Sequence, residues 1–198
     1  MSATATLEEA YGRIPDAVRR AVTGLDASQL AFRPVGPANA ADNSAAGNAA
    51  RGNPVPGNSA TGNAAKGNSV AWLIWHLTRV QDNHIADVAD LPELWIDGGW
   101  AGRFGLDLDE LDTGYGHSSA QVSKVRPASP DLLTDYYDAV HARTLEFLTG
   151  LGEVDLNRIV DTNWNPPVTL QVRLVSVIED CMQHVGQAAY VRGLLTQE

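Results

Sequence analysis

The sequence predicts an all-α fold, a bundle of four long helices with long connections. Four segments repeat apolar residues at helical spacings of three and four. Serine, threonine, glycine and proline punctuate their ends. No stretch of the 198 residues alternates convincingly as a strand. One domain, residues 1–198, accommodates this pattern with a real core.

Residues 5–24 read as the first helix. Leu7, Tyr11, Ile14, Val18 and Val22 form its stripe, and Gly24 can end it. Residues 25–34 read as a turn and a short amphipathic piece. A tract of different character follows. Gly-Asn recurs at 47–48, 52–53, 57–58, 62–63 and 67–68, with Asp42-Asn43 as a degenerate first copy. A five-residue period invites comparison with β-solenoids, which need a large apolar residue in every copy. Here those positions hold mostly Ala, Pro and Ser, so no continuous core can form. Residues 42–67 therefore read as a flexible, low-complexity insertion within the domain.

Ser69 supplies an N-cap for the second helix, about 69–89. Trp72, Leu73, His76, Val80 and Asn83 share its stripe, and Leu91-Pro92 closes it. Residues 92–128 form a long connection rich in Gly and Trp, the pattern of a packed or binding loop. Ser129-Pro130 starts the third helix, which runs to about Leu148 with Leu133, Tyr136, Tyr137, Val140, Thr144 and Phe147 inward. Residues 150–167 read as a loop. Thr169 caps the fourth helix, which ends near Leu195.

Charge narrows the function. Fourteen Lys and Arg stand against 24 Asp and Glu, a net charge of −10. Such a chain repels phosphate backbones, and no basic patch offsets that, so nucleic acid is not an expected partner. The longest run free of polar side chains near the middle, Val70 to Trp75, is too short to cross a bilayer. The N-terminus shows no signal pattern, and the single cysteine, Cys181, cannot form an internal disulfide. A soluble cytoplasmic protein acting on a small molecule is the expectation.

Three residues stand out chemically. Asp180 and His184 lie four apart on the fourth helix, so they share a face. His76 lies on the inward stripe of the second. Two ligands from one helix and one from a facing helix make a three-point divalent site with room for water or substrate. The same spacing also fits an ordinary i,i+4 charge pair beside an interior histidine. Two nitrogens and one carboxylate suit Zn²⁺, and also Ni²⁺ or Fe²⁺. His84, about 80° round the helix from His76, is a weaker ligand candidate. Cys181 reads as a small buried hydrophobe, and His117 and His141 have no spacing partners.

The stretches Trp75-His76-Leu77-Thr78-Arg79 and Gln183-His184-Val185-Gly186-Gln187, with Asp180 before the latter, resemble the DinB/YfiT-like superfamily. The resemblance covers about 7–34 and 68–197 and lies nearest the actinobacterial, mycothiol-dependent branch. It implies a metal-binding DinB-like four-helix bundle with His76, Asp180 and His184 as ligands. Asp180 stands where histidine is commonest. The resemblance also implies transfer of a low-molecular-weight thiol to a small electrophile, as in detoxification. Arg79, Asn83, Trp100 and Arg103 are the residues placed to hold thiol or substrate. A metal-dependent hydrolase on this scaffold, or a non-enzymatic metal- or ligand-binding stress protein, are the alternatives. A homodimer fits the resemblance, though nothing in the periodicity requires it.

Overall fold

A computed structural model describes residues 2–35 and 66–195. The helices are α1 (Ala3–Gly12), α2 (Ile14–Val22), α3 (Ala27–Leu30), α4 (Val70–Ala89), α5 (Leu94–Asp97), α6 (Trp100–Phe104), α7 (Ser119–Val122), α8 (Pro130–Thr149) and α9 (Leu170–Leu195). Four walls enclose the core. The α1–α2 unit packs on α8 and α9, and α4 closes the square by packing on the same two helices. The four-helix expectation holds, with one difference at the first wall.

That wall is two helices, not one. Pro15 has no N–H to return to the Tyr11 carbonyl, and its ring crowds that oxygen. The chain breaks at Arg13 and restarts. The stripe survives the break: Leu7, Tyr11, Ile14 and Val18 are all buried. The Tyr11 hydroxyl donates to the Leu174 carbonyl at 3.1 Å and ties this wall to α9.

Ser69 does cap α4, its Oγ accepting from the Trp72 N–H at 3.1 Å. Fifteen of the 20 residues of α4 are buried, because α8 and α9 flank it and residues 93–125 cover a third side. Helices α4 and α9 run antiparallel in a fixed register. His76 meets His184, Leu77 meets Cys181, and His84 meets Arg173. Gln81 donates to Thr144 at 2.8 Å and joins α4 to α8.

The long connection is packed. Trp95, Trp100 and Phe104 are buried around Tyr136 of α8. Asp82 anchors it by accepting from the first amides of α5, Leu94 at 2.9 Å and Trp95 at 2.7 Å. The loop expected at 150–167 contains a strand, a difference from the sequence reading. Ile159–Asp161 (β1) pairs antiparallel with Val168–Thr169 (β2). Two strands of three and two residues are too short for alternation to reveal them.

The repeat at 42–65 lies outside the described residues. Its flanks are held together by an antiparallel bridge between Val35 and Lys66. Arg33 reinforces this stem by donating to the carbonyls of Gly67, Lys66 and Ser119. No helix among the described residues is long and apolar enough to cross a membrane.

Candidate metal centre

Helix geometry brings His76, Asp180 and His184 to one point between α4 and α9. All three are buried, and one ligand atom from each lies within 4.8 Å of the others. Bonds of ~2.1 Å to a tetrahedral ion place ligand atoms ~3.4 Å apart. His184 Nε2 and Asp180 Oδ1 stand 3.5 Å apart, close to that edge.

Tautomer and orientation follow from the outer hydrogen bonds. The His76 Nδ1–H donates to the Thr113 carbonyl at 2.5 Å. The His184 Nδ1–H donates to Gln187 Oε1 at 3.1 Å. In its neutral form each ring therefore presents its Nε2 lone pair to the cluster. A carbonyl behind a ligating histidine fixes the ring and raises its basicity, the usual support of a metal site. Trp72 stacks on His76 with centroids 4.5 Å apart and lies edge-on to His184. The pocket is thus walled on one side by indole.

The electrostatics of the two rings differ. Burial, with His184 next, lowers the His76 pKa to about 4, so this ring is neutral at pH 7. Burial also pulls on His184, but its hydrogen bond to Asp180, that residue's charge and Gln187 outweigh it and raise the pKa. Asp180 Oδ2 is buried and has no hydrogen-bond donor. A buried carboxylate oxygen left unpaired costs about 1–3 kcal/mol or more. A divalent cation would satisfy it, and the N, N, O donor set suits Zn²⁺, Ni²⁺ or Fe²⁺.

Sequence reading overlooked the support behind His76. His117 is buried, accepts from Trp72 Nε1 at Nδ1 (3.0 Å), and donates from Nε2 to Asp112 Oδ2 (2.7 Å). Asp112 Oδ1 also accepts from the Gly114 N–H. This network fixes the turn that presents the Thr113 carbonyl. Gly114 has φ +91°, and a Cβ there would stand 2.8 Å from His76 Nδ1. The Gly114-Tyr115-Gly116 spacing was the available signal for a tight turn.

The four residues expected near the thiol or substrate divide between two other contacts. Arg79 is buried and pairs with Glu93, stacks over Trp95 and donates to the Asp112 carbonyl. Asn83 donates to the same Glu93 at 2.8 Å. Trp100 packs on Tyr136, and exposed Arg103 lies over the Trp100 ring. His84 joins Arg173 rather than the cluster. Cys181 is fully buried, and burial, with Asp180 second, pushes its thiol pKa well up. His141 stacks on Tyr137, away from the ligands.

A model of the DinB superfamily matches residues 10–188, nearly the whole chain and all three ligand candidates. The chain belongs to the DinB superfamily. Its members usually bind metal, which agrees with the cluster. A solved structure described as a conserved protein of Enterococcus faecalis is similar throughout. It is 30% identical with a TM-score of 0.79, over 100% of this chain and 99% of that one. No curated protein matches.

Proposed function

We propose that this DinB-superfamily protein is a divalent-metal-dependent transferase that moves a low-molecular-weight thiol, mycothiol-like, to a small electrophile. His76, Asp180 and His184 would hold the ion, with Zn²⁺ the best match to the donors. The observation that carries the reading is the buried cluster of Asp180 with two histidines whose Nδ1 atoms are already committed outward, the Asp180 Oδ2 having no hydrogen-bond donor. Three protein ligands leave positions for an exogenous group, the pattern of a catalytic rather than a structural site. When bound, such an ion lowers the pKa of a thiol or water that reaches it.

The chain's own residues shape the rest. Thr113 and Gln187 hold the imidazoles in the ligating tautomer. Trp72 excludes water from one side of the cluster. Cys181 is sealed beneath Leu77 and Gln81, so the reacting sulfur must come from a co-substrate. The thiol itself is supported by the sequence resemblance to the mycothiol-dependent branch. A hydrolase on the same ligands would turn over without thiol.

The test has two stages. Elemental analysis should find about one divalent ion per chain in wild type, lost in His184→Ala and Asp180→Ala. The loaded protein is then assayed with a panel of thiols against 1-chloro-2,4-dinitrobenzene, reading chloride release. Thiol-dependent turnover supports the transferase. Turnover of ester or amide substrates without thiol would replace it with the hydrolase. Metal binding without any turnover would leave a binding protein.

A further inference from the structure

A second polar layer lies along the same helix pair. Arg173 sits seven residues before Asp180 on α9, which returns it to the same face, about 20° off and ~10 Å along the axis. His84 sits eight residues after His76 on α4, and the antiparallel register brings the two together. Arg173 Nη1 donates to His84 Nδ1 at 3.2 Å, and Arg173 Nη2 to Asp161 Oδ2 at 2.9 Å. All three are partly exposed, as are Val80 and Ser176 between this layer and the metal ligands. Val80 and Ser176 thus lie half-exposed between Arg173 and the buried Asp180.

The donors in this layer exceed the acceptors. Arg173 carries five N–H groups, and its buried Nε–H has no partner. His84 accepts at Nδ1, so its neutral ring carries its proton on Nε2, a further donor. Burial, with Arg173 second, lowers the His84 pKa and keeps the ring in that form. Arg173 also stands in the first turn of a 26-residue helix, where the backbone dipole adds positive potential. His84 takes one N–H of Nη1 and Asp161 one of Nη2, and the second N–H on each of these nitrogens is left to donate to an anion.

We propose that Arg173 and His84 form an anion subsite that binds a carboxylate of the small molecule whose other end reaches the metal centre. The two layers act as complementary anchors: acceptors at Asp180 that want a cation, donors at Arg173 and His84 that want an anion. The ~10 Å rise between them sets the size of the ligand. This deepens the transferase reading by giving its substrate a charged end, while the subsite's own existence does not depend on the ion.

The test is titration of the purified protein with succinate and with neutral succinamide, followed by NMR shifts, with metal content measured on the same samples. Succinate should bind and succinamide should not. Arg173→Gln should weaken succinate by roughly ten- to a hundredfold, the loss of one charge-assisted hydrogen bond, with metal content unchanged. His84→Gln, which keeps a neutral donor, should retain binding better than His84→Ala. Should Arg173→Gln fail to fold, Asp161→Asn on the exposed hairpin gives the opposite sign: removing the internal counter-ion should tighten succinate. Wild-type affinity in Arg173→Gln overturns the subsite, as does unchanged affinity in Asp161→Asn. So does succinate binding that vanishes in His184→Ala yet ignores Arg173. Loss of metal in wild type would refute the transferase reading alone.

Discussion

Replacing Gly114 with alanine isolates the support behind the metal centre. Two costs can be worked from the structure. The residue has φ +91°, where a Cβ is strained by about 1–2 kcal/mol. The new Cβ would also stand 2.8 Å from His76 Nδ1, 3.0 Å from Trp75 and 3.2 Å from Trp72. Both tryptophans are buried and cannot yield freely, so overpacking adds roughly 1–3 kcal/mol. The backbone must retreat, and the Thr113 carbonyl withdraws from the His76 ring. Loss of such an outer partner lowers metal affinity about 10- to 100-fold. Gly116 is the internal control. Its φ of +70° brings the same kind of strain, but nothing lies within 4 Å of its Cβ position. Gly116→Ala should therefore lose about 1–2 kcal/mol and keep its metal affinity. Denaturant unfolding and competitive Zn²⁺ titration on both variants provide the assay. Equal metal affinity in the two variants would refute the claim that the Thr113 turn orients His76.

Three further outcomes are expected. Metal binding at about pH 6 should release close to one proton, from His184, whose pKa is raised; the release should fade as pH rises through that pKa, and His76, already neutral, should add nothing. Calorimetry in buffers of different ionisation enthalpy measures this, and release that grows with pH would contradict it. Glu93→Gln should destabilise the fold by about 3 kcal/mol, because it leaves the fully buried Arg79 with only Asp82, 3.8 Å away, as counter-charge; urea unfolding reads the loss. Deleting residues 43–65 should leave folding and metal content unchanged, since the stem at Val35 and Lys66 already brings the flanks together; aggregation or metal loss in the shortened chain would show that the tract matters.

Periodicity alone carried the bundle. The apolar stripes of α4, α8 and α9 needed only a 3.6-residue repeat, and Ser69, Ser129 and Pro130 marked starts that the structure keeps. The same method merged α1 and α2, because Pro15 breaks the backbone without disturbing the stripe. It passed over β1 and β2, which are shorter than any readable pattern. It gave no role to His117, whose partners Trp72 and Asp112 lie 45 and five residues away.

The sequence by itself pointed to the three ligand candidates, because Asp180 and His184, four apart on one helix, share a face whatever surrounds them, and His76 lies on an inward apolar stripe. Tertiary structure decided what those residues can do. The register of α4 against α9 sets which side chains meet, so it joined His76 to His184 and sent His84 to Arg173. The turn at Gly114 set the tautomer of His76. The placement of Glu93 beside α4 engaged Arg79 and Asn83 away from the cluster. Each of these depends on groups far apart in the chain, and only packing selects among the partners that local spacing leaves open.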